Sequence, residues 1–403
     1  MLKREAYKKI IQINKTFRVL LVSGPRQVGK TTLLTEYIPE GMSYVTLDDK
    51  VLREQASTNP KMFLEEHPWP LLIDEVQYAP ELFPYIKIIV DKEKQRGMYW
   101  LTGSQQIKLM NNVQESLAGR VGIVKLNSLT YSEIVQNENK KVFEPDNLTK
   151  SNTTINVNEL YDRIFEGGMP ELYDIPDMDK KDYFYSYVET YLSKDVKNQL
   201  EILDTTTFKN FMVSVATRNG EQLNYSNIAN EIGITDKTAK TWLNILVNSG
   251  IVYLLEPFMN TKLKRITHMP KIVFMDSGLC SYLAGWDTAR DLQLSEQSGH
   301  YLETYIISEI IKSYNSMGID PKLSYYRDKE KNEIDLIFEK SNKIYPFEIK
   351  KTGNPTKAMI KNFEKLNDTK KQIEPGGIIC CYDELIHLDE KNYIIPISSV
   401  INI

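Results

Sequence analysis

Residues 24–31, with the sequence Gly-Pro-Arg-Gln-Val-Gly-Lys-Thr, constrain the fold of this chain more than any other segment. They fit the pattern G-x-x-x-x-G-K-[ST], follow an apolar run at 19–22 and precede a segment predicted to be helical. The glycines let backbone N–H groups approach a phosphate closely, and the start of the helix presents the positive end of its dipole. The sequence therefore predicts a phosphate-binding loop between a strand and a helix.

Two side chains of this segment have expected chemical roles. Lys30 is expected to reach the β- and γ-phosphates of a bound nucleotide, and Thr31 is expected to ligate magnesium. The remaining contacts to the nucleotide are expected from the loop and the first helical turn, which comprise Gly24, Pro25, Arg26, Gln27, Val28, Gly29 and Thr32.

The loop lies within a series of short apolar segments rich in β-forming residues. Stretches long enough for helices separate them, as in an α/β fold with a doubly wound parallel sheet. The predicted strands are 19–22, 44–47, 71–73, 99–101 and 123–126.

Acidic and hydroxyl side chains stand at the ends of two of these strands. Asp74 and Glu75 follow the run Leu-Leu-Ile, and parallel strands deliver such residues to the ligand-binding edge of the sheet. We expect Asp74 to bind magnesium and Glu75 to orient an attacking water, which implies hydrolysis as well as binding. Thr102 or Ser104 could sense the γ-phosphate, although an ordinary turn is an open alternative at this strand end.

Together these segments resemble a widespread bacterial and archaeal family of AAA-type ATPases of the STAND/AAA+ class. The resemblance implies ATP as the nucleotide, magnesium as its metal and ATP hydrolysis as the activity. It covers almost the whole chain through GPRQVGKTTLL, LLIDEVQ (71–77), WLTGSQ (100–105), SLAGRVG (116–122), FEGGMPELY (165–173), YVETYLSKDV (187–196) and MDSGLCSYLAG (275–285).

Two basic residues need separate treatment within this resemblance. Arg120 matches the arginine of the family's SLAGR segment, and its guanidinium could stabilise the transferred phosphoryl group, in cis or from a neighbouring subunit. A structural or surface salt bridge is an equally open interpretation of Arg120. Lys194 stands where the family usually has arginine, and we assign it no role.

The middle of the chain has the pattern of a helix-turn-helix followed by a wing strand. Ser226 and Thr235 are placed as N-caps, Gly233 separates the helices, and Lys237 and Lys240 would point outward from the second helix. Residues 251–255 would form the wing, and further positive charge is expected from Lys262, Lys264, Arg265 and Lys271. Double-stranded DNA is one expected partner, and a winged helix that serves only as an ATPase lid or protein contact is the alternative.

Several acidic residues of the C-terminal region stand in segments predicted to be a helix or strands. Glu303 falls on the apolar face of a helix, and strand alternation puts Glu348 and Lys350 on one face. Together with Asp335 they resemble a PD-(D/E)xK nuclease fold, in which Glu303, Asp335 and Glu348 would be metal ligands and Lys350 would lie near the attacked phosphate. The alternative is a degenerate nuclease-like domain whose acids form ion pairs with Lys350, Lys351 or Arg327.

Length and composition limit the remaining possibilities. The chain has 403 residues, a formal net charge of −4 and 41% hydrophobic residues, as expected of a soluble protein with two or three domains. We expect a P-loop ATPase domain at 1–170, a helical winged-helix domain at 171–290 and a nuclease-like α/β domain at 291–403. The absence of a long apolar run or an export signal, and three cysteines without metal-ligand spacing, predict a cytoplasmic protein with no membrane partner.

Two functional hypotheses follow from this organisation. The first is an ATP-driven motor or switch that acts on DNA. The second is an ATP-dependent signalling or toxin-antitoxin-like switch that binds protein partners and carries an inactive nuclease-like domain. Oligomerisation is compatible with both hypotheses.

Overall fold

A five-stranded parallel sheet forms the centre of the N-terminal region. The structure is a computed structural model, and it describes residues 2–104, 113, 115–138, 140–151, 153–192, 196, 204–259, 269–367 and 369–401. The strand order is β2-β3-β4-β1-β5, and every pair is parallel. The strands are β1 (Val19–Ser23), β2 (Ser43–Thr46), β3 (Leu71–Asp74), β4 (Tyr99–Gly103) and β5 (Val121–Lys125). The predicted α/β fold with a parallel sheet is confirmed.

Helices cover both faces of this sheet because its strands are apolar on both sides. Leu20 and Val22 of β1 pack into one hydrophobic core, whereas Val19 and Leu21 pack into a second core on the opposite face. Strand alternation explains this division. The helices of this region are α1 (Ala6–Thr16), α2 (Lys30–Glu36), α3 (Lys50–Thr58), α4 (Pro60–Glu66), α5 (Leu82–Glu93) and α6 (Tyr131–Ile134).

The middle region is mainly helical, as predicted. Its helices are α7 (Val157–Glu166), α8 (Glu171–Asp174), α9 (Lys180–Tyr191), α10 (Thr205–Ala216), α11 (Tyr225–Ile232), α12 (Asp236–Asn248), α13 (Ser277–Leu283) and α14 (Ala289–Leu294). Two strands, β6 (Val252–Leu255) and β7 (Lys271–Phe274), form an antiparallel pair.

The caps of α11 and α12 correct one detail of the sequence analysis. Thr235 caps α12 as predicted, since its hydroxyl accepts a hydrogen bond from Thr238 N. The N-cap of α11 is Asn224, because the Asn224 side chain accepts from Asn227 N, and Ser226 lies inside the helix. Gly233 ends α11 with a φ of +78°, which is a left-handed conformation that favours glycine.

The C-terminal region is a mixed seven-stranded sheet that packs against a long helix, α15 (Ser298–Ser316). Strands β9 and β10 are antiparallel, whereas β10, β12 and β14 run parallel to one another. The elements after α15 are β8 (Lys322–Arg327), β9 (Glu333–Lys340), β10 (Lys343–Lys350), a 3-10 helix (Lys357–Leu366), β11 (Gln372–Ile373), β12 (Gly377–Cys380), β13 (Ile386–His387), β14 (Tyr393–Pro396) and α16 (Ile397–Ile401).

Helix α15 packs against all three regions of the chain, and nearly all of its surface is buried. Its side chains belong to the same hydrophobic core that contains Leu20 of β1, Leu243 of α12 and Phe347 of β10. Any polar side chain on α15 must therefore find a partner inside the protein. Within the described ranges, no helix combines the length and apolar character that crossing a bilayer requires.

Candidate functional site

The glycine-rich loop turns tightly at the carboxyl end of β1. A Cβ atom on Gly24 would lie 1.9 Å from the carbonyl oxygen of Leu126, so only glycine fits there. Gly29 has a φ of +84° and caps the N-terminus of α2. Lys30 is 6% exposed, and its Nζ donates to the carbonyl oxygens of Gly24 at 3.1 Å and Pro25 at 2.7 Å. The loop thus wraps around the lysine ammonium.

Asp74 lies beside this loop and is surrounded by hydroxyl groups. The Thr31 hydroxyl donates to both carboxylate oxygens of Asp74, at 2.9 and 3.1 Å. Thr102 also donates to Asp74, and the Tyr44 hydroxyl lies 3.3 Å from its Oδ2. A carboxylate and a threonine hydroxyl are the hard oxygen donors that magnesium prefers, so Thr31 and Asp74 fit the metal expected at this position.

Glu75 follows Asp74 in a left-handed backbone conformation, with a φ of +55°. Its N–H donates to Thr102 Oγ1 at 3.4 Å, and its carboxylate accepts from the Gln77 amide. The Ser104 hydroxyl lies 3.4 Å from the same carboxylate oxygen. Few non-glycine residues adopt this φ, and here it directs the acid away from the strand and toward Ser104.

Arg4 supports the loop from the N-terminal segment and was missed in the sequence analysis. Its Nη1 donates to Val28 O at 2.6 Å, its Nη2 donates to Asn127 O at 2.7 Å, and its Nε pairs with Glu133 at 3.1 Å. The guanidinium is buried, and it also borders a cavity of about 50 Å³ beside the loop. No sequence motif marks Arg4, because its partners lie far away along the chain.

The same small cavity brings the middle region next to the loop. Its lining includes Gly29, Thr32 and Leu33 and also Pro170. Pro170 belongs to the FEGGMPELY segment. A volume of about 50 Å³ is far too small for a nucleotide, so these walls would have to move apart to admit one.

Arg120 lies at the edge of the sheet opposite to the loop. It directly precedes β5, whose Val121 pairs in register with Val19 at the start of β1, whereas the loop follows the end of β1. Its guanidinium makes two hydrogen bonds to Asp91, at 2.6 and 2.7 Å. A strand of this length separates the two edges by roughly 13–17 Å, so Arg120 does not contact the loop in this arrangement. A phosphate contact of Arg120, by closure in cis or from a neighbouring subunit, stays a prediction.

The C-terminal acids gather where α15, β9 and β10 meet. Oxygens of Glu303, Glu333 and Asp335 lie within 4.8 Å of one another. Lys350 joins Glu348 to this group, because its Nζ lies 2.7 Å from both Asp335 and Glu348. Glu333 was not among the predicted ligands. Its position at the start of β9, two residues before Asp335, would have suggested it because alternate residues share a face.

Burial perturbs the ionisation of these acids. Burial and, after it, the charge on Asp335 raise the pKa of Glu348 to about 9, against the opposing effect of Lys350. Burial also raises the pKa of Glu303 to about 7, against the opposing effect of Lys271. The pKa of Asp335 is lowered: burial acts to raise it, but the charges of Lys350 and Lys271 outweigh burial. One oxygen of Glu348, Oε1, is buried without a hydrogen-bond partner, which is the environment of a carboxylate that a cation could ligate.

Some of the basic residues predicted to lie on the surface around the wing are exposed, and one is buried. Lys237 and Lys240 are exposed on α12, as expected. Lys271 does not add charge to the surface: it is 2% exposed and pairs with Glu303 and Glu333, which corrects the sequence prediction. The predictions for Lys194, Lys262, Lys264 and Arg265 lie outside the described residues.

Comparison with known families matches three successive ranges of the chain. Residues 16–135 match an AAA domain. Residues 157–290 match a domain of unknown function, DUF8612, and residues 298–400 match another, DUF4143. The nuclease resemblance of the C-terminal region therefore stays a prediction.

The similar curated proteins are uncharacterized. Proteins of Mycobacterium tuberculosis and Mycobacterium bovis are each 26% identical over 340 residues, which span 84% of this chain and 71% of the relative. A protein of Haemophilus influenzae is 22% identical over 418 residues, with 95% and 97% of the two chains covered.

Two solved structures with ATPase descriptions are among the similar structures. A Walker-type ATPase of Pyrococcus abyssi is 14% identical and covers 70% of this chain and 96% of its own, with a TM-score of 0.44. A signal transduction ATPase with numerous domains from Pyrococcus horikoshii is 13% identical and covers 79% and 48%, with a TM-score of 0.26. The match of residues 16–135 to an AAA domain agrees with the loop geometry, and together they support an AAA-type P-loop fold for this region.

Proposed function

We propose that this chain binds and hydrolyses ATP and uses the cycle to switch its middle and C-terminal regions between states. The observation that carries the proposal is the pair of hydrogen bonds from Thr31 to Asp74, because it joins the loop to the strand-end acid. Adjacent to that pair, Glu75 supplies a second carboxylate at the same edge of the sheet. Binding alone would require the first acid but not the second.

Each residue of the site has one role in this proposal. Lys30 would exchange its bonds to Gly24 and Pro25 for bonds to phosphate oxygens. Thr31 and Asp74 would hold magnesium, which neutralises phosphate charge when bound. Glu75 would orient the attacking water, and Ser104, beside it, would report the presence of the γ-phosphate.

Replacement of single residues tests this assignment. Lys30→Ala should abolish nucleotide binding or turnover, because its ammonium, which the loop surrounds, is the expected contact to the β- and γ-phosphates. Glu75→Gln should bind ATP as the wild type does but lose hydrolysis. Glu81→Gln, an exposed acid before α5, is the matched control and should turn over normally. Equal turnover of wild type and Glu75→Gln at saturating ATP would contradict the role of Glu75.

The finer part of the proposal is that DNA is the substrate of the switch. Exposed Lys237 and Lys240 on α12 support it, and phosphate contacts of this kind require no sequence reading. Asp335 and Glu348, with Glu303, would hold a divalent metal in a nuclease-like site. Supercoiled DNA incubated with manganese should then be nicked by the wild type but not by Asp335→Ala or Lys350→Ala. Equal nicking by all three proteins would indicate a contaminant or another site.

A second candidate function is a switch that binds protein partners and has an inactive nuclease-like domain. The ion pairs of Lys350 with Asp335 and Glu348 favour it, because they give each of these acids a cationic partner without metal. ATP turnover of the full chain, measured with and without duplex DNA, separates the two candidates. Stimulation by DNA that weakens as salt rises supports the first, and turnover indifferent to DNA at low salt supports the second.

A further inference from the structure

Lys271 crosses from the middle region into the acid cluster of the C-terminal region. It is the first residue of β7, and its Nζ lies 2.6 Å from Glu303 Oε1 and 2.5 Å from Glu333 Oε1. Its side chain is only 2% exposed, although the ammonium group of a lysine normally reaches water. The ammonium therefore sits inside the protein as the counter-ion of two carboxylates.

The backbone around Lys271 fixes it in that position. Ile272 N donates to Glu221 O at 3.0 Å, and Gly220 N donates to Ile272 O at 2.8 Å. On its other side, β7 pairs with β6 through Leu255, which faces Lys271 in the register. Withdrawal of the ammonium therefore requires movement of the strand as well as rotation of the side chain.

Among the residues that the structure describes, the acids around Lys271 outnumber the cations. Glu303, Glu333, Asp335 and Glu348 face three cations, Lys271, Lys350 and Arg327, and Arg327 pairs with Glu333 at 2.9 Å. With every group ionised, one negative charge remains in excess. Buried Glu348 Oε1, which has no hydrogen-bond partner, lies on the Asp335 side of this cluster. A further positive charge near this oxygen would be stabilised, since Lys350 pairs with the other oxygen of Glu348 and a buried polar atom without a partner is costly.

We propose that Lys271 competes with a divalent cation for Glu303, Glu333 and Asp335, so that the metal enters only when the β6–β7 pair moves away. The proposal rests on the metal-binding role suggested above for the C-terminal acids. The two acids that contact the ammonium, Glu303 and Glu333, belong with Asp335 to the group whose carboxylate oxygens lie within 4.8 Å of one another, a spacing suited to one metal ion. They cannot hold both cations, because a metal would need the space between Glu303 and Glu333 that the ammonium fills.

The competition has a measurable consequence for metal affinity. An ammonium held by its own strand is present at a high effective concentration, whereas a metal ion must come from solution. If Lys271 is withdrawn in no more than a tenth of the molecules, the apparent Kd for the metal is raised about tenfold or more over its intrinsic value. Removing the ammonium should therefore lower the apparent Kd for the metal by the same factor.

Manganese binding to the full chain without nucleotide tests the proposal. Free Mn²⁺ is measured by electron paramagnetic resonance for wild type, Lys271→Met and the control Lys322→Met, an exposed lysine of β8. Lys271→Met should bind Mn²⁺ about tenfold more tightly than wild type, and Asp335→Asn added to it should abolish the gain. Lys322→Met should behave as wild type.

Two other outcomes overturn the proposal in distinguishable ways. If wild type and Lys271→Met bind Mn²⁺ equally and both depend on Asp335, the metal site exists but Lys271 does not compete for it. If neither protein binds Mn²⁺ through Asp335, the metal-binding role of the C-terminal acids fails as well. Should Lys271→Met not fold, Lys271→Met/Glu303→Gln removes both members of the pair and is compared with Glu303→Gln alone, with the same gain expected.

Discussion

The hydroxyl of Tyr183 on α9 donates a 3.0 Å hydrogen bond to the side-chain oxygen of Gln27 in the glycine-rich loop. Gln27 has a φ of +59°, so the loop holds this residue in a left-handed conformation that few side chains adopt. A residue of the middle region thus contacts the loop at a residue with an uncommon backbone conformation. The contact gives a direct route by which a change in the loop on nucleotide binding would reach α9.

Tyr183→Phe should weaken ATP binding without abolishing it. The loss of one neutral hydrogen bond is worth about 0.5–1.5 kcal/mol, or roughly a two- to tenfold increase in Kd. A double-mutant cycle with Gln27→Ala checks the contact, since the two effects should be non-additive if the bond links them. Additive effects would show that Tyr183 acts on the loop by another route.

Arg4→Met should impair the loop more severely than Tyr183→Phe. It removes a buried cation that holds Val28 O and Asn127 O and leaves the Glu133 carboxylate without this partner. Breaking a buried pair in this way costs about 3–5 kcal/mol of folding stability. Chemical denaturation of Arg4→Met and Arg4→Met/Glu133→Gln measures it. The double variant should regain part of the loss, and no recovery would contradict the pairing as the cause.

Arg120→Ala tests whether the ion pair at the far edge of the sheet is purely structural. Its side chain and that of Asp91 are partly exposed, so the pair should contribute little to folding stability. Arg120→Ala and Asp91→Ala should then leave ATP turnover unchanged, and Asp91→Ala should be the more destabilising because Asp91 also pairs with Arg18 at 3.0 Å. A loss of turnover in Arg120→Ala alone, at unchanged ATP affinity, would instead support a contact to the nucleotide of a neighbouring subunit.

Replacing Lys237 and Lys240 with glutamate should weaken binding to duplex DNA. Each lost phosphate contact should lower the slope of log K against log salt by close to one, so the slope should fall by roughly two. Lys61→Glu/Lys87→Glu makes the same charge change at exposed helical positions of the N-terminal region and serves as the control. Undetectable duplex binding by the wild type at low salt would favour a protein-contact role for α12.

Lys180 should make folding stability depend on pH between about 7 and 10.5. Burial lowers its pKa to about 7 from an ordinary 10.5, while its Nζ donates to Ser281 Oγ at 2.8 Å. Over that range the unfolded chain binds a proton that the folded chain does not, so stability rises with pH and is lost as pH falls toward 7. Urea unfolding at pH 7, 8 and 9 should show this rise in wild type relative to Lys180→Met. Lys181→Met, at an exposed neighbouring position, should keep the wild-type dependence.

Contacts between neighbours along the chain could be predicted from the sequence. The loop is contiguous from Gly24 to Thr31, and the adjacent residues Asp74 and Glu75 follow an apolar strand, so their edge of the sheet follows from parallel topology. Alternation likewise placed Glu348 and Lys350 on one face of β10, where Lys350 does contact the Glu348 carboxylate. Thr235 as the cap of α12 follows from its local pattern.

The partners of Arg4, Arg120 and Lys271 could not be predicted in the same way. Arg4 meets Glu133 across 129 residues, and Lys271 meets Glu303 across 32 residues that include two helices. A long basic side chain is compatible with a solvent-exposed, a DNA-facing or a buried position, and its sequence neighbours do not distinguish these. Only the packing of one region on another decides which carboxylate it reaches.

The sequence by itself therefore determined the parallel sheet, the phosphate loop and the two acids at its edge, because short-range geometry and strand periodicity specify them. The tertiary structure decided that Arg120 lies at the opposite edge from the loop and that Lys271 points into the acid cluster of the C-terminal region. The physical reason is that a buried charge is stable only beside a partner, and that partner is supplied by whichever element packs against it.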